Sequence, residues 1–205
     1  MLRRRLLLAA LLAPAAAPAI AQTAGNPAAA PLESFGAALI AAMKAGPSQS
    51  FDQRAAGLRP AITAAFDLPT ILARSVGPDY AGYSEAQKST LLDAFTAFTV
   101  ASWTANFNHW NGEVFRVLSP TRKLGANEIV ATEIAGPEGE PTKLDFVMQQ
   151  GTGGWQVVDI LLDGTISRVA VQRSDFRGLL ASGGPDALIA SLRRKTAQLA
   201  AGGAG

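Results

Sequence analysis

The apolar positions fall into two regimes. From Leu32 to Trp110 they recur at three- and four-residue spacing, the period of a helix face. From Glu113 to Val169 they come in short alternating runs, the period of a strand. Leu32, Phe35, Leu39, Ile40 and Met43 mark a first helix that Gly46-Pro47 ends. Ser50 and Gln53 have capping-box spacing and open a second helix, with Pro60 expected in the first turn of the segment running to Phe66. Asp67 and Pro69 open a short helix that stops at Gly77-Pro78. Ser84 and Gln87 repeat the capping box before a long helix expected over residues 85–110. Along it Leu91, Phe95 and Phe98 share one face, and Trp103, Phe107 and Trp110 continue as an aromatic stripe.

Strands are expected at 113–118, 127–135, 141–149, 155–162 and 165–169. The breaks between them are Ser119-Pro120, Gly136-Pro137-Glu138-Gly139, Gly151-Thr152-Gly153-Gly154 and Asp163-Gly164. Links this short make an antiparallel meander. Helix returns near Asp175–Leu180, and a last helix follows Gly183-Gly184-Pro185 to about Leu199. The fold class is therefore α+β.

Centring the third hairpin on Thr152 pairs Leu144 with Ile160, Phe146 with Val158 and Met148 with Gln156. Continuing across the preceding hairpin adds Ile129 and Ala131. One sheet face then carries Ile129, Leu144, Phe146, Met148, Val158, Ile160 and Leu162, and the helix bearing Trp103 and Phe107 is its expected cover. Packing distance decides whether that space is a filled core or a ligand slot. The same register opposes Asp145 and Asp159 on the other face. Facing carboxylates serve either as a general acid/base pair or as anions neutralised by Arg173 or Arg168. Asp159 and Asp163 stand roughly 13 Å apart on an extended strand, too far to share a site.

The first 21 residues read as a cleaved leader: Arg3-Arg4-Arg5, an apolar run from Leu6 to Ala13, and Ala19-Ile20-Ala21 before Gln22. Residues 22–31 read as a flexible tether and 32–200 as one domain. The formal charge of the whole chain is +2, from 18 cationic and 16 acidic residues. Without the leader's three arginines, 15 cationic residues face 16 acidic ones, a net −1, and nucleic-acid binding loses its electrostatic basis. The 205 residues contain no cysteine, which removes disulfides and thiolate chemistry. His109 is the only histidine, so a multi-histidine metal site within one chain is excluded, and no cofactor is implied. Hydrophobic residues make up 48%, enough for a globular core. Neither a nucleophile elbow nor a P-loop occurs; Gly151-Thr152-Gly153-Gly154 lies between strands, as a hairpin turn does.

Several strings, in this order, resemble one family. They are Ala65-Phe66-Asp67-Leu68-Pro69, the tyrosine-flanked turn before Ser84, Gly154-Trp155-Gln156-Val157-Val158-Asp159, and Asp163-Gly164. Arg173-Ser174-Asp175-Phe176 and Leu192-Arg193-Arg194-Lys195 follow. Together they resemble the MlaC-type periplasmic lipid carriers, also called toluene-tolerance auxiliary proteins. The run from Asp163 to Arg173 is more similar to the hopanoid-associated HpnM branch.

The resemblance implies a curved antiparallel sheet of four to five strands, wrapped by N- and C-terminal helices, with an apolar cavity between them. It implies a monomeric periplasmic shuttle that moves phospholipid or a hopanoid-type lipid between inner- and outer-membrane complexes without chemistry. Trp103, Phe107, Ile129, Leu144, Phe146, Met148, Val158, Ile160 and Leu162 are then the expected lipid-binding residues. Burying sixteen methylenes is worth about 13 kcal/mol before ordering costs, so an apolar slot alone suffices to extract a lipid. Two alternatives stand beside this reading: an exported enzyme using Asp145 and Asp159, and a scaffold subunit with a filled core.

Overall fold

A computed structural model describes residues 26–202. The expected leader and residues 22–25 of the tether lie outside them. Residues 26–31, expected to be flexible, instead pack onto the domain. Asn26 donates to Thr121 Oγ1 and Glu128 Oε2, both at 2.9 Å, Ala28 is fully buried, and helix α1 (Ala30–Ala45) already begins at Ala30.

The helical half follows the local signals. Ser50 caps α2 (Phe51–Ala65) with its box partner Gln53, and Asp67 caps α3 (Leu68–Val76) by accepting from Thr70 N at 3.0 Å. Ser84 and Gln87 box the start of α4 (Glu85–Asn106). Pro60 sits well inside α2 rather than in a first turn. Helix α4 stops four residues short of the expected end. Phe107 is its C-cap, its N–H bonding to Trp103 O at 3.1 Å, which leaves Trp110 outside the stripe and 42% exposed. There the Trp110 indole N–H donates to Glu113 O, and Lys44 lies over the ring at 4.8 Å.

Six antiparallel strands form one sheet: β1 (Val114–Val117), β2 (Arg122–Leu124), β3 (Asn127–Ala135), β4 (Thr142–Gly151), β5 (Gly154–Leu162) and β6 (Ile166–Ser167). The spatial order is β1-β3-β4-β5-β6, with β2 also pairing to β3. Helix α5 (Arg168–Ala200) starts directly after β6, so Arg168 and Val169 are helical rather than the end of the strand expected over 165–169. It breaks at Gly183 and Gly184; the latter, at φ 61°, occupies the left-handed region that favours glycine.

The register differs from the expected one, with a local cause. The β4–β5 hairpin closes with Gly151 opposite Gly154, which shifts the pairing by one residue and puts Met148 opposite Val157. A β-bulge at Val158 then shifts it again, so that Phe146 faces Ile160 and Leu144 faces Leu162. On β3, Val130 rather than Ile129 lies opposite Phe146. The two shifts change which side chains share a face. Leu144, Phe146, Met148, Val157 and Val130 belong to the main core, with Ile160 and Leu162 packed against it. Ile129 and Val158 turn to the other face, where they form a small separate cluster with Val147.

Candidate functional site

The expected slot between the sheet and the aromatic stripe is filled at its centre. Phe35 from α1 and Phe66 from the α2–α3 junction stand between Trp103 and Phe146. Phe35 lies 4.8 Å from Trp103 and 6.3 Å from Phe146, and Phe66 lies 6.1 Å from each, all edge to face. Phe66 is held there by backbone: it bridges to Val157, and Asp67 N–H donates to Val157 O at 2.9 Å. Phe146 and Met148 are fully buried beneath this cluster.

Open space lies to one side, around Ile160. A small chamber of about 70 Å³ is bounded by Phe66, Leu68, Ile71, Phe95, Trp103 and Ile160. A groove of about 230 Å³ continues past Trp103 to Phe107, Leu144 and Leu162. A larger hollow of about 480 Å³ lies between α4 and the two arms of α5, with Phe98, Phe176, Leu179 and Leu188 in its wall, and polar Asn106, Asp175 and Lys195 beside them. That volume falls in the range of about 300–1,000 Å³ typical of small-molecule sites. Ser102 and Arg168 border all three spaces.

Five of the nine expected residues therefore come together around open space: Trp103, Phe107, Leu144, Ile160 and Leu162. Phe146 and Met148 share that sheet face but line none of these spaces, and Ile129 and Val158 face away from it. Trp103 and Phe107 stack at 5.3 Å, so the end of α4 presents one continuous aromatic wall to the groove. Sequence reasoning missed Ser102, Arg168 and the α3 residues Leu68 and Ile71. Ser102 had a weak signal, a small polar residue interrupting the aromatic stripe next to Trp103.

The expected carboxylate pair does not form. Asp145 stands opposite Ala131 and Leu161, and its carboxylate accepts from Arg122. Asp159 stands opposite Val147 and is not neutralised by Arg173 or Arg168. Its carboxylate accepts from Ser167 Oγ at 2.5 Å, Ile160 N at 2.8 Å and Val169 N at 3.1 Å, fixing the junction of β5, β6 and α5. Arg173 instead donates through Nε and Nη2 to Arg74 O, at the C-terminal end of α3. The acid/base arrangement required by an enzyme reading therefore has no geometric basis at these two residues. His109 is exposed, with Nδ1 2.6 Å from its neighbour Asn108 Oδ1. Away from the cavities, Glu128 is held below the ordinary glutamate range, first by the hydrogen bond from Lys123 and then by that from Asn26.

Among the described residues, no helix is long and apolar enough to cross a membrane. No protein with a curated description matches this chain. Among solved structures, a phospholipid-binding protein from Ralstonia solanacearum, in complex with a phospholipid, superposes with a TM-score of 0.73 at 19% identity, covering 85% of this chain and 99% of that one. The likeness is one of fold. The family model for the MlaC protein matches residues 33–194, most of the length from α1 to the second arm of α5, and the chain therefore belongs to the MlaC family.

Proposed function

We propose that this protein is a lipid carrier of the periplasm. It takes up a lipid at the inner or outer membrane, holds the apolar part in the spaces around Ile160, and releases it unchanged at the opposite membrane. The supporting observation is the set of adjoining cavities bordered by Trp103, Phe107, Leu144, Ile160 and Leu162, on a fold shared with a protein that holds a phospholipid. The leader at residues 1–21, cleaved before Gln22, accounts for export, and membrane-bound transport complexes are the partners. The protein acts as a monomer.

The described spaces are small for a whole diacyl lipid. Filling them therefore involves movement of α5 about its break at Gly183-Gly184, where the two arms bound the hollow of about 480 Å³. A phospholipid is the first ligand. A hopanoid-type lipid is the second, favoured by the likeness of the Asp163–Arg173 string to the HpnM branch.

Ser102→Phe tests the reading, because a ring at that position occupies the junction of all three spaces without burying a charge. Uptake of a fluorescent phospholipid from vesicles is expected to be lost in a variant that still melts cooperatively. Undiminished uptake by the folded variant would contradict the location of the site.

A further inference from the structure

Charge is divided unevenly between α5 and the rest of the fold. Residues 26–167 carry nine cationic and fourteen acidic side chains, a net −5. Helix α5 carries Arg168, Arg173, Arg177, Arg193, Arg194 and Lys195 against Asp175 and Asp186, a net +4. The two nearly cancel, so a small overall charge conceals a strongly polarised molecule.

All six cations of α5 are exposed, and among the described residues none of them takes part in an ion pair. Four of the nine elsewhere do: Lys88, Arg116, Arg122 and Lys123. The helix itself accounts for little of this basicity. Neither acid stands three or four residues from a cation, so no intrahelical pair neutralises them. Arg173 and Arg177 form instead a like-charge pair four residues apart, an arrangement that costs helix stability. No cation lies in the last turn, where the helix dipole would favour one. Arg173 bonds to a backbone carbonyl, Arg74 O, and Lys195 lies 6.0 Å from the ring of Phe98; neither contact supplies a counter-charge.

The residues between the cations show what kind of anion this face suits. Those exposed beside them are small or polar, among them Ala170, Ser174, Gly178, Ala190 and Ala197. The large apolar side chains exposed on the described surface, Trp110, Val114, Leu124 and Ile166, all lie outside α5. A specific protein interface is built on a buried apolar centre with anchoring side chains. The exposed face of α5 has no such centre, so it suits a partner held by charge alone. A membrane surface rich in anionic lipid is such a partner. Its charge is laterally continuous, and it meets cations on both arms of the helix without matching side chains.

We propose that the cationic face of α5 docks the protein on the surface of an anionic membrane. This goes beyond the lipid-carrier reading and does not require it, because docking depends on headgroup charge at the bilayer surface and not on what the cavities hold. The contact is weak and reversible. Each cation near such a surface contributes about fivefold to partitioning, and salt screens the attraction within about 10 Å.

The test is co-sedimentation with vesicles of phosphatidylcholine alone, or mixed equally with phosphatidylglycerol, at low and at high salt. Wild type is compared with the double variant Arg193→Gln/Arg194→Gln and with Arg59→Gln/Lys143→Gln, which removes the same charge from exposed sites outside α5. Thermal melts confirm that each is folded. Wild type is expected to bind the anionic vesicles at low salt, to release them at high salt, and to ignore phosphatidylcholine. Loss of Arg193 and Arg194 should weaken binding about thirtyfold, and loss of Arg59 and Lys143 should leave it within about twofold of wild type. Wild type that ignores anionic vesicles at low salt overturns the proposal, as does equal binding to both vesicle types or an equal loss in the two variants. Binding of polyglutamate but not of vesicles would assign the face to an acidic protein and overturn it too. Lipid retained by the repurified protein is measured in parallel. Retention without vesicle binding removes the docking face and leaves the carrier reading standing, and vesicle binding without retention does the reverse.

Discussion

Removing the Asp159 carboxylate should be the most damaging polar substitution near the cavities. One oxygen accepts from Ile160 N at 2.8 Å and Val169 N at 3.1 Å, and the other from Ser167 Oγ at 2.5 Å. Hydrogen bonds to a charged group are worth about 1.5–3 kcal/mol each, and the partial exposure of this site lets water replace part of them. Asp159→Ala also leaves the buried Val169 without the acceptor for its N–H. The combined loss should be about 3 kcal/mol. For a domain of this size that lowers the melting temperature by roughly 6–12 °C. Asp159→Asn keeps one acceptor oxygen and should lose about 1 kcal/mol. Urea denaturation followed by tryptophan fluorescence measures both values. The cycle with Arg173→Ala isolates the cause: Arg173 bonds to Arg74 O, so the two losses should add to within about 0.5 kcal/mol. An Asp159→Ala protein as stable as wild type, or strong coupling to Arg173, would refute the assignment of Asp159 to the β5–β6–α5 junction.

Further substitutions probe other parts of the fold. A Cβ at Gly36 would lie 2.2 Å from Phe115 Cδ1, so Gly36→Ala should destabilise by about 1–3 kcal/mol in thermal melts despite its better helix propensity; equal or greater stability would mean that β1 can move freely off α1. Because hydrogen bonding from Lys123 and Asn26 lowers the Glu128 pKa, its stabilisation is present above the ordinary glutamate value near 4.5 and is lost as pH falls through the lower folded value. Melting temperatures from pH 7 to pH 3 should therefore fall more steeply for wild type than for Glu128→Gln, and parallel curves would contradict this. Val158→Glu puts a carboxylate into the small outer cluster with Ile129 and Val147, so it should lower stability while the protein that remains folded keeps its lipid. Loss of lipid without loss of stability would return Val158 to the cavity side.

How much was legible in the chain depended on how locally each feature is determined. The capping boxes at Ser50/Gln53 and Ser84/Gln87 are contained within four residues and formed as expected. The limits of β3 matched residue for residue, because turn residues bound it on both sides. By contrast, β2 consists of Arg122, Lys123 and Leu124, all exposed, and has no buried alternation to reveal it. Register depends on a turn length and a bulge that leave hydrophobic composition unchanged, so strict alternation places Val158 and Ile129 on the cavity face and opposes Asp145 to Asp159, whereas the folded sheet does neither. The cavity was the least accessible feature. Its position follows from Phe35 and Phe66 filling the centre of the expected slot, a matter of helix packing distance that no spacing rule carries. Arg168 was visible only as a possible counterion, since its place at the meeting of three spaces exists only in the folded chain.

The carrier reading is tested most directly by organic extraction of the protein, purified without added lipid, followed by mass spectrometry of the extract. The account predicts lipid in an amount comparable to the protein, and a sharp reduction in the Ser102→Phe variant prepared in parallel. An extract free of lipid, or the same lipid load in wild type and Ser102→Phe, would contradict a lipid site around Ile160.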